Sequence, residues 1–241
     1  MGIAAYQKTD PDPFDHDDPP NPTESNPYGL AALKNGDALV TDAANNDLLR
    51  VTPKGKVTTV ARFGPEDVST DQVPPEALPP GTPALPPTLP TESVPTTVTI
   101  GPDGYAYVGE LKGFPFHTGS SRIWRVNPWT KNALCSVSGS TKGCRTYAKG
   151  FTAIQDIAFD RRSGSVYVDE LAKAGAFAFE AGLAPGGTFP PAVLLKVRHG
   201  QRTELVPGQL SQPGGVAVNR RGQVFVTDHV FTGGRLSQVR L

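Results

Sequence analysis

One phrase occurs four times along the chain, and that repetition constrains the fold more than any other feature. It reads NPYGLAALKNGDALVTD from Asn26 to Asp42, VPTTVTIGPDGYAYVGE from Val94 to Glu110, IQDIAFDRRSGSVYVDE from Ile154 to Glu170, and QPGGVAVNRRGQVFVTD from Gln212 to Asp228. Each copy is a short alternating apolar strand, a polar turn ending in Gly36, Gly104, Gly164 or Gly222, and a second strand closed by an acid. Asn-Gly, Asp-Gly and Arg-Gly are the turn pairs that give tight hairpins their positive φ. A third alternating strand follows each hairpin, as LLRVTP from Leu48, RIWRVNP from Arg122, VLLKVRHG from Val193 and LSQVRL from Leu236. A fourth is present in three copies, as KVTTVARF from Lys56, TYAKGF from Thr146 and TELVP from Thr203. Repeats of about 40–50 residues with four strands each mark a propeller. The predicted fold is therefore all-β, a β-propeller with four recognisable four-stranded blades.

The turn glycines are spaced by 68, 60 and 58 residues, so each blade carries an insertion. The largest, within a Pro-rich stretch at 64–93, holds nine prolines between Gly64 and Pro90 and reads as a PPII-like surface loop without a core of its own. An Ala-rich insertion from Leu171 to Leu183 has room for a short helix, with Gly175 and Gly182 limiting its length. Residues 1–23 form an acidic, Pro-rich segment ahead of the propeller at 24–241. The fourth copy carries three strands, and two arrangements satisfy its outer edge. Either Ile3-Ala4-Ala5-Tyr6 pairs there as a strand and closes a ring of four, or the chain is part of a larger ring.

Charge and composition exclude several function classes. Lys+Arg and Asp+Glu are equal at 23 each, which leaves no basic field for nucleic acid. No apolar run approaches the roughly 18 residues of a membrane-spanning helix. Met1-Gly2-Ile3-Ala4-Ala5-Tyr6-Gln7-Lys8 lacks the basic and apolar regions of a signal peptide. The two cysteines, Cys135 and Cys144, are nine apart in a Ser/Gly/Thr-rich stretch, a spacing suited to a disulfide staple in an oxidising compartment. No G-x-S-x-G, P-loop, G-x-G-x-x-G or zinc-helix His pair is present.

Several phrases also carry a resemblance. SNPYGLA, DAANNDLLR from Asp42, VPTTVTIGPDG, YVGELKGFPF from Tyr107 and GFTAIQDIAF from Gly150 are together similar to the ScyD/ScyE family, over nearly all of 24–241. Those are NHL-type bacterial propellers named from a scytonemin pigment gene cluster. The resemblance implies an exported six-bladed propeller, placed extracellularly or in the cell envelope, whose biochemical activity is not established. It favours the second arrangement, four blades of six, with the chain starting inside an outer strand at IAAYQ.

Two kinds of chemistry follow from the residues. The acids that end the second strands, Asp42, Glu110, Glu170 and Asp228, occupy equivalent positions in pseudo-symmetric repeats. Converging carboxylates there would bind a cation or serve as general acid and base. With Asn45 and Asn46 beside Asp42, the oxygen set Asp42, Asn46, Glu110 and Glu170 suits calcium. The stronger reading is that the same acids cap backbone N–H groups of neighbouring turns. The second kind is ligand binding: Glu110 leads into Lys112-Gly-Phe114-Pro-Phe116-His117, and Asp228 is followed by His229. Aromatics and an imidazole on a loop carried by a rigid scaffold suit a protein or small-molecule ligand. Phe114 and Phe116 have the alternative of packing between blades. The run Asp10 to Asp18 lacks the Gly and Glu of a calcium loop and reads as a solvated linker. Trp124 is expected in the inter-blade core and Trp129 in a surface turn. Two functions from different classes remain in view, an extracytoplasmic binding scaffold and a metal-dependent hydrolase or lyase of the gluconolactonase-like kind.

Overall fold

The computed structural model describes residues 2–15, 19–139 and 141–240; His16, Asp17 and Asp18 of the acidic run lie outside them. A five-residue helix, α1 (Ile3–Gln7), comes first. The first blade follows as β1 (Pro27–Ala32), β2 (Ala38–Asp42), β3 (Asp47–Val51) and β4 (Val57–Phe63). A hairpin of β5 (Glu66–Ser69) and β6 (Thr88–Thr91), with a 3-10 turn at Pro75–Ala77 in its connection, separates it from the second. That blade comprises β7 (Pro95–Ile100), β8 (Ala106–Glu110), β9 (Ser121–Val126) and, after the excursion β10 (Ala133–Cys135), β11 (Cys144–Phe151). The third holds β12 (Ile154–Phe159), β13 (Val166–Glu170), helix α2 (Ala176–Leu183), β14 (Val193–Arg198) and β15 (Gln201–Leu205). The fourth has β16 (Gly215–Val218), β17 (Val224–Asp228) and β18 (Arg235–Val239). Within each blade the neighbouring strands are antiparallel.

Local sequence explains the hairpins. Gly36, Gly104, Gly164 and Gly222 all adopt positive φ, between 71° and 89°, at the turn joining first and second strands. An L side chain pays for that conformation and glycine does not.

Strand alternation then sends apolar side chains to both flanks of each blade, so consecutive blades bury them against one another. Leu39 and Leu48 of the first blade meet Val98, Val108 and Trp124 of the second. Ile123 and Phe151 of the second meet Ile154, Ile157 and Val168 of the third. Tyr167 and Leu194 of the third meet Val216, Val224 and Val226 of the fourth. The first strands line up side by side, β1 on β7, β7 on β12 and β12 on β16. Their approach is close: a Cβ on Gly29 would lie 2.8 Å from the Thr97 Cα, and on the second strand β8 one on Gly109 would lie 2.7 Å from Ile154 Cγ2 of β12. Trp124 is fully buried and Trp129 is exposed, as expected, with Arg50 stacked 5.3 Å from the Trp129 ring centroid.

Four sequence expectations need correction. The described part of the acidic run is not a solvated linker, because Asp12 is buried and accepts from Asn46 Nδ2, and Asp10 accepts from Thr59 Oγ1 and pairs with Arg62. Ile3-Ala4-Ala5-Tyr6 is helical and docks on the first blade, so IAAYQ is no outer strand, either of the fourth blade or of a larger ring. Ala-Ala favours helix, and four residues are too few for a period to separate helix from strand. Tyr6 Oη lies 3.0 Å from Thr59 Oγ1, and Gln7 Nε2 donates to Asp42 and Asp47. The Pro-rich stretch is not purely PPII-like: it folds back as β5–β6 and buries Val68. The outermost strand of the first blade is not β4, because β10 pairs with it in parallel and makes that sheet five-stranded. Cys135 at the end of β10 is bonded to Cys144 at the start of β11, Cα atoms 5.3 Å apart. The disulfide thus joins the sheets of two blades. No helix among the described residues is long and apolar enough to cross a membrane.

Candidate functional site

The four strand-ending acids are all buried, and burial obliges a carboxylate to collect hydrogen bonds. Asp42 accepts from Asn26 N at 2.6 Å, Ser25 Oγ at 2.7 Å, Gln7 Nε2 at 3.2 Å and Asn45 N at 3.3 Å. Glu110 accepts from Ser93 Oγ at 2.7 Å, Trp124 Nε1 at 2.9 Å and Arg122 Nε at 3.0 Å. Glu170 accepts from Thr152 N at 2.8 Å. In these three blades the acid fastens the residue that leads into the first strand of its own hairpin. Asp228 instead takes Arg235 from the third strand on both oxygens, with His229 Nδ1 3.2 Å away. Burial alone would raise the Asp228 carboxyl, and the Arg235 hydrogen bonds outweigh it and hold the group below its usual range. Among the described residues Glu170 takes no hydrogen bond from a cation, and burial pushes its carboxyl up to about 7 against a weaker pull from Arg202.

The proposed calcium ligands are engaged separately. Asn46 accepts from Val94 N on its amide oxygen at 2.9 Å and donates from Nδ2 to Asp12 at 3.0 Å. Among the described residues no three of His, Cys, Asp or Glu are grouped so as to hold a metal ion.

Glu110 and Lys112 of the segment ELKGFPF work as a clamp. The Lys112 ammonium is buried 3.4 Å from Glu110 and 3.3 Å from Glu66, and Arg122 also bridges those two carboxylates. Glu66 belongs to β5, so the clamp ties the Pro-rich insertion to the second blade. Lys112 and Phe116 both have positive φ, at 76° and 54°, which turns the segment sharply. Further along, Thr118 donates from N and Oγ1 to Gln72 Oε1 at 2.9 and 2.8 Å, and His117 Nε2 lies 3.0 Å from Asp71. Both contacts fasten the loop to the same insertion.

The β5–β6 insertion, the loop at 113–118 and α2 meet one another. Phe114 and Phe116 pack edge-on against Phe177 of α2, with centroids 6.3 and 5.3 Å apart, and 6.1 Å from each other. The remaining space is a cleft of about 530 Å³ lined by Gln72, Glu76, Phe116, Phe177 and Glu180, with small Ala, Gly, Pro and Thr side chains between them. Of the ligand-binding candidates, Phe116 lines this cleft, Phe114 and His117 support it, and Glu110 lies in the clamp beneath. Asp228 and His229 belong to the fourth blade and do not line it.

Sequence reasoning missed Glu66, Gln72, Phe177 and Glu180, because the contacts that matter join insertions 40 to 100 residues apart. It also missed Asp169, whose carboxyl is buried with neither oxygen hydrogen-bonded. Burial pushes that group well above the usual carboxylate range, and the nearby Asp156, Asp228 and Glu170 add to it.

No family model matches the chain, and no curated protein matches it either. Solved structures do. A protein assigned as a gluconolactonase is 11% identical at a TM-score of 0.52, over 90% of this chain and 60% of that one. A catalytically inactive virginiamycin B lyase from Staphylococcus aureus with quinupristin is 15% identical at 0.48, covering 90% and 56%. Regucalcin, a calcium-binding protein from Agrobacterium tumefaciens, is 13% identical at 0.45, covering 83% and 52%. The chain thus spans little more than half the length of these structures. At such identities the likeness shows the fold alone. The sheets, the flank-to-flank packing and the likeness to the first of these, at a TM-score of 0.52, together make the chain a β-propeller protein.

Proposed function

We propose that the chain is a binding scaffold of the ScyD/ScyE type, working outside the cytoplasm, whose ligand enters the cleft between the β5–β6 insertion, the 113–118 loop and α2. The observation that carries this reading is the cleft itself. Its volume of about 530 Å³ falls in the range of small-molecule sites, and its walls are aromatic and small apolar side chains with few polar groups. Support for binding over chemistry at the strand-ending acids comes from their partners, since Asp42, Glu110 and Asp228 are already occupied by donors of this chain. The disulfide suits an oxidising compartment, extracellular or in the cell envelope.

Fluorescence of the neutral dye Nile red tests the cleft. The expected result is enhanced emission with the native chain and its loss in Phe116→Ala and Phe177→Ala. Emission that is absent with the native chain, or unchanged in both variants, would overturn the assignment.

A further inference from the structure

We infer that the cleft takes a small organic cation carrying an apolar arm, an alkyl- or arylammonium group; this rests on the reading of the cleft as the ligand site. The charged residues on its walls are Glu76 and Glu180, and no Lys, Arg or His lines it among the described residues. The two acids stand on different elements, Glu76 in the 3-10 turn of the insertion and Glu180 in α2. Both are exposed. The whole chain has no net charge, 23 cationic against 23 acidic residues, so a wholly acidic cleft is a local feature.

Neighbouring cations are committed elsewhere. Lys173, just before the helix, reaches Glu204 at 2.7 Å, and His117 faces Asp71. The amino end of α2 also lines the cleft, but a helix terminus carries only about half a positive charge against two carboxylates. Gln72 Oε1 is taken by Thr118 and offers little to a ligand donor.

The apolar wall completes the match. Phe116 and Phe177 both line the cleft, are half-buried and pack edge to face at 82°. Ring faces attract ammonium groups, while Ala174, Ala178 and Ala181 leave room for an alkyl or aryl arm. Anionic ligands meet the two acids unfavourably, and neutral ones gain nothing from them.

Calorimetric titration at low ionic strength with benzyltrimethylammonium, benzyl alcohol and 3-phenylpropanoate tests the inference, because the three share an arm and differ in charge. The expected order is cation over alcohol by about tenfold, with the anion weakest. In the double variant Glu76→Gln, Glu180→Gln the cation should lose most of its preference over the alcohol while the alcohol is unchanged. Equal binding of cation and alcohol, or an unchanged cation preference in the double variant, would overturn the inference and leave the cleft assignment standing. Failure of all three while Nile red still binds in a Phe177-dependent way overturns the inference alone. Failure of Nile red as well overturns both.

Discussion

Glu110 shows how a single acid can be visible in a sequence while its role is not. Its place at the end of a second strand is fixed by the repeat, and so are those of Asp42, Glu170 and Asp228. What each does depends on partners the repeat does not carry: Trp124, Arg122 and Lys112 for Glu110, the Thr152 backbone N–H for Glu170, Arg235 for Asp228. Pseudo-symmetry therefore predicted equivalent positions correctly and could not predict equivalent chemistry. Glu170 has a measurable consequence. Its folded-state carboxyl, pushed up by burial to about 7, lies above the ordinary value of 4.5. Between those values the folded state holds the extra proton, so the stabilisation is complete below about pH 4.5 and is lost as pH rises through 7. The buried Asp47 and Asp169 carboxyls, both pushed up by burial, act in the same direction. Glu170→Gln keeps an oxygen for Thr152 N and removes the charge. Chemical denaturation should show the variant more stable than the native chain at pH 8, by up to about 3 kcal/mol, with the gap closing at pH 4.5. A gap independent of pH would contradict the assignment.

At the scale of elements, the blade hairpins were legible and the insertions were not. Alternating strands around a positive-φ glycine are encoded within some 17 residues, and no distant contact is needed to recognise them. By contrast β5–β6 owes its position to Glu66 reaching Lys112 and Arg122, and α1 to Gln7 and Tyr6 reaching strands some 35 to 53 residues away. The short helix α2 was anticipated from its alanines. Its packing was not, since Phe177 meets Phe114 and Phe116 on one side while Phe179 meets Phe189 and Phe231 on the other. The cysteine spacing announced a staple, but only the structure reveals that it fixes a strand borrowed by the neighbouring blade. Closing a loop of this size stabilises by roughly 2–3 kcal/mol through the unfolded chain. Reducing the bond, or Cys135→Ser with Cys144→Ser, should lower the melting temperature. Hydrogen exchange should then rise first in β10 and along the β4 edge it covers. Uniform exchange across all four blades would mean that the disulfide does not hold β10 in place.

The whole molecule divides labour between a repeated frame and the loops it carries. Flank-to-flank burial of Leu48 and Trp124, Ile123 and Ile154, Tyr167 and Val226 makes the frame, and each such side chain withdrawn from water contributes about 1.5–3 kcal/mol before entropy is set against it. The strand-ending acids belong to that frame. The cleft belongs to the insertions, and its walls come from three separate stretches of the chain. A crystal structure of the chain grown with calcium and benzyltrimethylammonium together tests this division most directly. The account predicts ammonium density against Phe116 and Phe177, with Asp42, Glu110, Glu170 and Asp228 still on their own donors. Calcium bound between any of those acids, with the cleft empty, would contradict it.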